Sequence, residues 1–119
     1  MKHPEILERT IAYSVRIVNL CQTLESTHSG RILGGQLLRS GTSIGANIHE
    51  AQGGHSKADF IAKMTIAQKE AYESLYWMRV LQATNLLPAA RLNDLFDETE
   101  QLVKIITTII VNTKQRNSE

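Results

Sequence analysis

Arg39, Ser43, Asn47 and Glu50 follow one another at steps of four, four and three, which places them on one face at helical pitch. Further along, Lys63, Glu70 and Trp77 share a second face, with Glu73 beside them. If the two faces meet, a guanidinium, an ammonium, carboxylates, an amide, a hydroxyl and an indole N–H form one network. Such groups tolerate burial only when paired and hydrogen-bonded. The first expectation is therefore structural: the network fixes helix register and the geometry of an oligomer. The alternative is a pocket for a polar ligand, with an enzyme as its extreme case, around Ser43, Asn47, Glu50, Glu70 and Trp77. Acid–base catalysis by Glu50 or Glu70 lacks a partner, since no nucleophile or histidine is placed to work with either. No catalytic residue is assigned, and the chain is expected not to be an enzyme.

Metal chemistry fares no better. Di-iron bundles carry a Glu-x-x-His pair on each of two helices, whereas this chain has that spacing once, at Glu25-x-x-His28 in the break between two helical stripes. His49, Glu50 and His55 come near zincin spacing without matching it, and Gly53-Gly54 breaks the helix between them. No metal and no cofactor are expected. Cys21, the one cysteine, sits beside Leu20 and reads as a small buried hydrophobe. It allows no internal disulfide, which suits a reducing cytoplasm.

With thirteen Lys and Arg against twelve Asp and Glu, net charge is +1, so bulk electrostatics give no steer toward nucleic acid or an anionic membrane. Several basic residues nevertheless fall early in the chain, among them Arg9, Arg16 and Arg31, the candidate nucleic-acid contacts. A ring of identical subunits would repeat such a modest patch and raise avidity. The N-terminus MKHPEILERT lacks the apolar core of a signal peptide. The apolar run Ile105 to Val111 is far short of the ~20 residues a bilayer requires. A cytoplasmic protein with no membrane partner is the expectation.

The elements that position these residues are read from periodicity. From about Pro4 to Glu25, Ile6, Thr10, Tyr13, Ile17, Leu20 and Leu24 recur at steps of three and four, with Leu7, Ile11 and Val18 widening the stripe. Proline at the first helical position gives up a donor that would be unsatisfied anyway. The polar stretch Ser26 to Gly30 interrupts, and a second helix runs from about Arg31 to Gln52, ended by Gly53-Gly54. Its middle is dense in Gly, Ser, Thr and Ala, yet Leu37, Ile44, Ile48 and Ala51 hold one face. Glycine inside a helix costs about 1 kcal/mol relative to alanine, so repeated glycines signal a neighbour in close approach. Ser56-Lys57-Ala58-Asp59 is a capping-box variant. It opens a third helix, about Lys57 to Asn85, striped by Phe60, Met64, Ala67, Ala71, Ser74, Met78 and Leu81. After Pro88 a fourth runs from about Ala89 to Lys114, with residues 115–119 as a frayed tail.

No segment alternates at period two. Short connections between long helices predict an all-α chain, one domain over residues 1–119, folded as an antiparallel up-down-up-down four-helix bundle. Small residues on the second and third stripes let those helices lie close, and Leu and Ile on the first and fourth fill a wider side. Ile105, Val111, Leu38 and Trp77 point away from the main stripes and predict self-association.

One set of motifs carries a resemblance. Leu38-Arg39-Ser40-Gly41-Thr42-Ser43-Ile44-Gly45-Ala46-Asn47-Ile48-x-Glu50-Ala51 is followed by Ser56-x-x-Asp59-Phe60-Ile61-x-Lys63 and Ile66-Ala67-x-Lys69-Glu70-Ala71-x-Glu73-x-x-Tyr76-Trp77. Together, over roughly residues 5–112, these resemble the bacterial four-helix-bundle family named after the protein encoded in intervening sequences of 23S ribosomal RNA genes. The resemblance implies a homopentamer and no catalytic residues. It extends to the accessory protein of diversity-generating retroelements, a basic pentameric barrel that partners a reverse transcriptase and binds nucleic acid. It thus implies a non-enzymatic scaffold or adaptor whose partners are copies of itself and RNA, DNA or a nucleic-acid-handling protein. The near-neutral charge of this chain departs from that basic relative.

Overall fold

Pro4 opens the first helix, α1 (Pro4–Gln22), in a computed structural model that describes residues 3–116. The second, α2 (His28–Gln52), begins three residues earlier than periodicity suggests because Thr27 caps it, its hydroxyl accepting from the Gly30 N–H at 3.0 Å. Gly30 therefore lies inside the first turn. A Cβ there would stand 2.3 Å from the Leu24 carbonyl oxygen, so only glycine lets the chain double back this tightly. Correspondingly α1 stops at Gln22, short of the expected Glu25.

Ser56 caps α3 (Lys57–Ala83), accepting from the Asp59 N–H at 3.1 Å. The far end of α3 closes in a Schellman turn: the Leu86 N–H donates to the Leu81 carbonyl and the Asn85 N–H to that of Gln82. Asn85 takes the left-handed conformation this requires, φ 61°. The helix thus ends at Ala83, two residues before the expected Asn85. After Pro88, α4 (Ala89–Gln115) continues through Gln115, the first residue of the expected tail. Arg116 caps it, and residues 117–119 of that tail lie outside the described residues.

Cross-helix contacts give the register. Thr10 and Ile17 of α1, and Leu24 just beyond its end, meet Gly45, Gly41 and Gly34 of α2 in reverse order. Ser40 and Glu50 of α2 face Ser74 and Lys63 of α3. Gln68 of α3 reaches Thr107 of α4 at 2.8 Å. Each neighbour is antiparallel, and the four helices form a bundle 53 × 20 × 19 Å with no strand among the described residues. Packing is closest between α2 and α3 and sparsest between α1 and α4, as the distribution of small and large residues predicts.

The glycines of α2 act in a direction periodicity alone does not give. A Cβ on Gly41 would lie 3.0 Å from Ile17, and one on Gly45 2.9 Å from the Thr10 Cβ. They make room for α1 side chains, while the α2–α3 contact is made by Ser40, Ala67, Ala71 and Ser74, all buried. Gly35 is different, since a Cβ there would meet nothing within 4 Å.

The core follows the predicted stripes, with Tyr13, Ile17, Leu37, Ile44, Ile48, Met64, Met78, Leu81, Leu92, Leu102 and Ile106 almost wholly buried. Two expectations are corrected. Ile11 and Val18, assigned to the inner stripe of α1, face outward, Ile11 at 59% exposure. They lie on the flank of α1 that overhangs α2, where Gly45 and Ala46 are too small to cover them. Trp77 and Ile105, taken as surplus, are half-buried against the core, whereas Leu38 and Val111 are exposed as expected.

Candidate functional site

The α2–α3 faces do meet, but not as one network. Arg39 donates through Nη1 to Glu70 Oε2 at 3.1 Å and through Nη2 to Glu73. Trp77 Nε1 donates to the same Glu73 oxygen at 2.9 Å. One helical turn or more away, Lys63 donates separately to Glu50 at 2.7 Å. Ser43 and Asn47, expected between them, turn back on their own helix. The Ser43 hydroxyl donates to the Arg39 carbonyl at 2.6 Å, and the Asn47 amide to the Ser43 carbonyl at 2.8 Å. Both residues satisfy themselves locally, as short polar side chains in helices commonly do.

The hydrogen bond from Trp77 and the pairing with Arg39 hold the Glu73 carboxyl below its ordinary range, while Glu73 and Glu70 hold the Arg39 guanidinium charged. Lys63 lowers the Glu50 carboxyl in the same way. The seam sits at the surface: Arg39 is half exposed, and Glu70, at 17%, is its most sheltered charge. Every polar group of the expected ligand pocket thus has a protein partner, and the geometry is that of a clasp between two helices.

Two buried polar contacts were not anticipated. The hydroxyls of Ser40 and Ser74 share a hydrogen bond at 2.8 Å across α2 and α3. Thr99 donates to the Leu95 carbonyl, which leaves its oxygen to accept from the Tyr13 hydroxyl at 2.7 Å across α1 and α4. Their only signal in the sequence was a hydroxyl standing on an otherwise apolar stripe. Among the described residues no buried side-chain polar atom lacks a partner.

The candidate nucleic-acid arginines separate. Arg9 is committed to α4, donating to both oxygens of Glu98 at 2.6 and 2.9 Å and to Gln101 at 2.6 Å. This pairing lowers the Glu98 carboxyl. Arg31 donates to the Glu25 carbonyl at the α1–α2 turn. Arg16 remains exposed beside a crevice it lines with Asn19 and Arg91. The three do not converge. Among the described residues no group of three or more His, Cys, Asp or Glu is placed to hold a metal, and no helix is long and apolar enough to cross a membrane.

One groove on the surface is apolar. Leu7, Ile11, Val15 and Val18 of α1, with Gly45 and Ala46 of α2, line a groove of about 640 Å³ edged by Glu8, Asn19 and His49.

A model of the 23S rRNA-intervening sequence protein family matches residues 2–108. The chain belongs to that family. A crystal structure of a protein of unknown function from the S23 ribosomal protein family of Bacteroides thetaiotaomicron VPI-5482 superposes with a TM-score of 0.84 and 38% identity. The match covers 88% of this chain and 97% of that one. No curated protein matches. Family membership and the four-helix architecture thus agree.

Proposed function

We propose that this chain is a non-enzymatic, homo-oligomeric helical scaffold, a pentamer, that works in the cytoplasm as an adaptor for RNA or for a protein that handles nucleic acid. The observation that carries the self-association is the groove between α1 and α2. Ile11 and Val15 are 59% and 54% exposed and stand one helical turn apart, beside a strip of α2 too small to cover them. Burying this apolar surface against another copy recovers roughly 25 cal/mol per Å². Closed symmetry is the usual outcome of such contacts. A non-enzymatic role is supported by the seam, where each group able to act as acid or base is already paired.

Sedimentation equilibrium at micromolar concentration tests the assembly. A mass of five subunits is expected, and a monomer removes the claim. For the nucleic-acid half, salt-sensitive RNA binding weakened by charge reversal at Arg16 is expected. Arg9 is a poorer probe, because reversing it breaks the Glu98 clasp. RNA binding indifferent to salt, or none at low salt, counts against that half.

A further inference from the structure

On the opposite side of the bundle from the apolar groove, α3 presents a second pattern. Lys69, Tyr72, Tyr76 and Arg79 follow at steps of three, four and three, hence along one line of the helix over about 15 Å. All four are exposed, Tyr72 at 56% and Tyr76 at 60%. The line runs into an open groove of about 870 Å³ at the α3–α4 corner, lined by Tyr76, Arg79, Gln82, Asn85, Asn93 and Phe96.

The chemistry of that lining is selective. It offers aromatic rings, one guanidinium and three side-chain amides, and no carboxylate. The Tyr76 ring is braced edge-on by Trp77, with centroids 5.1 Å apart. Trp77 is held in turn by Glu73. Asn85 stands in the groove because the left-handed turn ending α3 puts it there. The α3 carboxylates nearest the line, Glu70 and Glu73, are both bound by Arg39 on the neighbouring helix. Among the described residues neither Lys69 nor Arg79 makes an ion pair. Both cations therefore keep their charge for a ligand.

Resting on the nucleic-acid half of the preceding reading, we infer that this α3 line and its groove bind single-stranded nucleic acid. Bases stack on Tyr72 and Tyr76, Lys69 and Arg79 meet phosphates, and the amides of Gln82, Asn85 and Asn93 take the edges of an unpaired base. Stacking accepts every base and is available only when the base is out of a duplex. Amides carry both donors and acceptors, as base edges do.

The test uses the full chain in its native assembly and fluorescence anisotropy with a labelled single-stranded oligo(U) and a duplex of the same length. The single strand is expected to bind more tightly. Tyr76→Ala should weaken it roughly tenfold, while Tyr76→Phe, which keeps the ring, should retain it. Arg79→Gln should flatten the log-affinity against log-salt slope by about 0.7, and Lys104→Gln on α4 should leave both unchanged. Circular dichroism confirms that each variant stays helical. If the wild type binds RNA but Tyr76→Ala and Arg79→Gln bind equally well, the groove is not the site and the broader RNA reading survives. Duplex preferred over single strand overturns the stacking role. Absence of binding to any RNA at low salt overturns both readings together, and sedimentation still judges the scaffold separately.

Discussion

Tyr13 and Cys21 are the buried titratable groups of α1, and burial pushes both up: the thiol from an ordinary 9.0 to about 11, the phenol from 10.0 to about 12. In each the folded state favours the neutral form. Their contribution to stability is complete below pH 9 and is lost as pH rises through the folded values. Melting temperature should therefore fall between pH 9.0 and about 11, and Cys21→Ala should remove the early part of that fall. The Glu98 carboxyl behaves oppositely, since Arg9 lowers it. Its contribution is present above the ordinary carboxylate value of 4.5 and disappears on acidification. Arg9→Ala should cost about 1 kcal/mol near neutrality, and urea titrations should show the gap from the wild type closing in acid. Tyr13→Phe should also cost about 1 kcal/mol by denaturant titration, because Thr99 keeps its bond to the Leu95 carbonyl when the phenol is gone.

The helices are specified by their ends and by what their small residues admit. Gly41 and Gly35 illustrate the difference. At Gly41 a methyl would press on three atoms of Ile17 at 3.0–3.1 Å, so Gly41→Ala should destabilise by about 1–3 kcal/mol despite its better helix propensity. Gly35 has open space, and Gly35→Ala should stabilise by up to about 1 kcal/mol. Thermal melts of the pair check both signs. Opposite results would mean that glycines on α2 are not placed for α1. The same logic explains where periodicity misjudged the ends. Thr27 and the Asn85 turn act through a few hydrogen bonds and one unusual backbone angle, which leave no mark on a repeat of apolar residues.

For the molecule as a whole, the two long faces differ in kind. One is an apolar groove between α1 and α2, and the other an aromatic and cationic line leading into the α3–α4 corner. In the proposed assembly their separation would let the copies bury the first and display the second several times, giving avidity without high net charge. Replacing Ile11 and Val15 together by Glu should lower the sedimentation mass to that of a single subunit while helicity is retained. An unchanged mass would place the subunit contact elsewhere.

From residue order alone came the four helices, their buried stripes, the closeness of α2 to α3 and the family, because burial at steps of three and four and a run of small residues are written directly into the chain. The pairing of Arg39 with Glu70 and Glu73 was legible as two faces that could meet, but the withdrawal of Ser43 and Asn47 from it was not. A short side chain chooses between its own helix and a neighbour on distances that sequence spacing does not contain. Likewise periodicity gives the width of an apolar arc and not how much of it a neighbour covers. Only the placement of α2, with Gly45 and Ala46 beside α1, decided that Ile11 and Val18 lie outside, and only the α3–α4 corner brought Tyr76, Arg79, Asn85 and Asn93 to one groove.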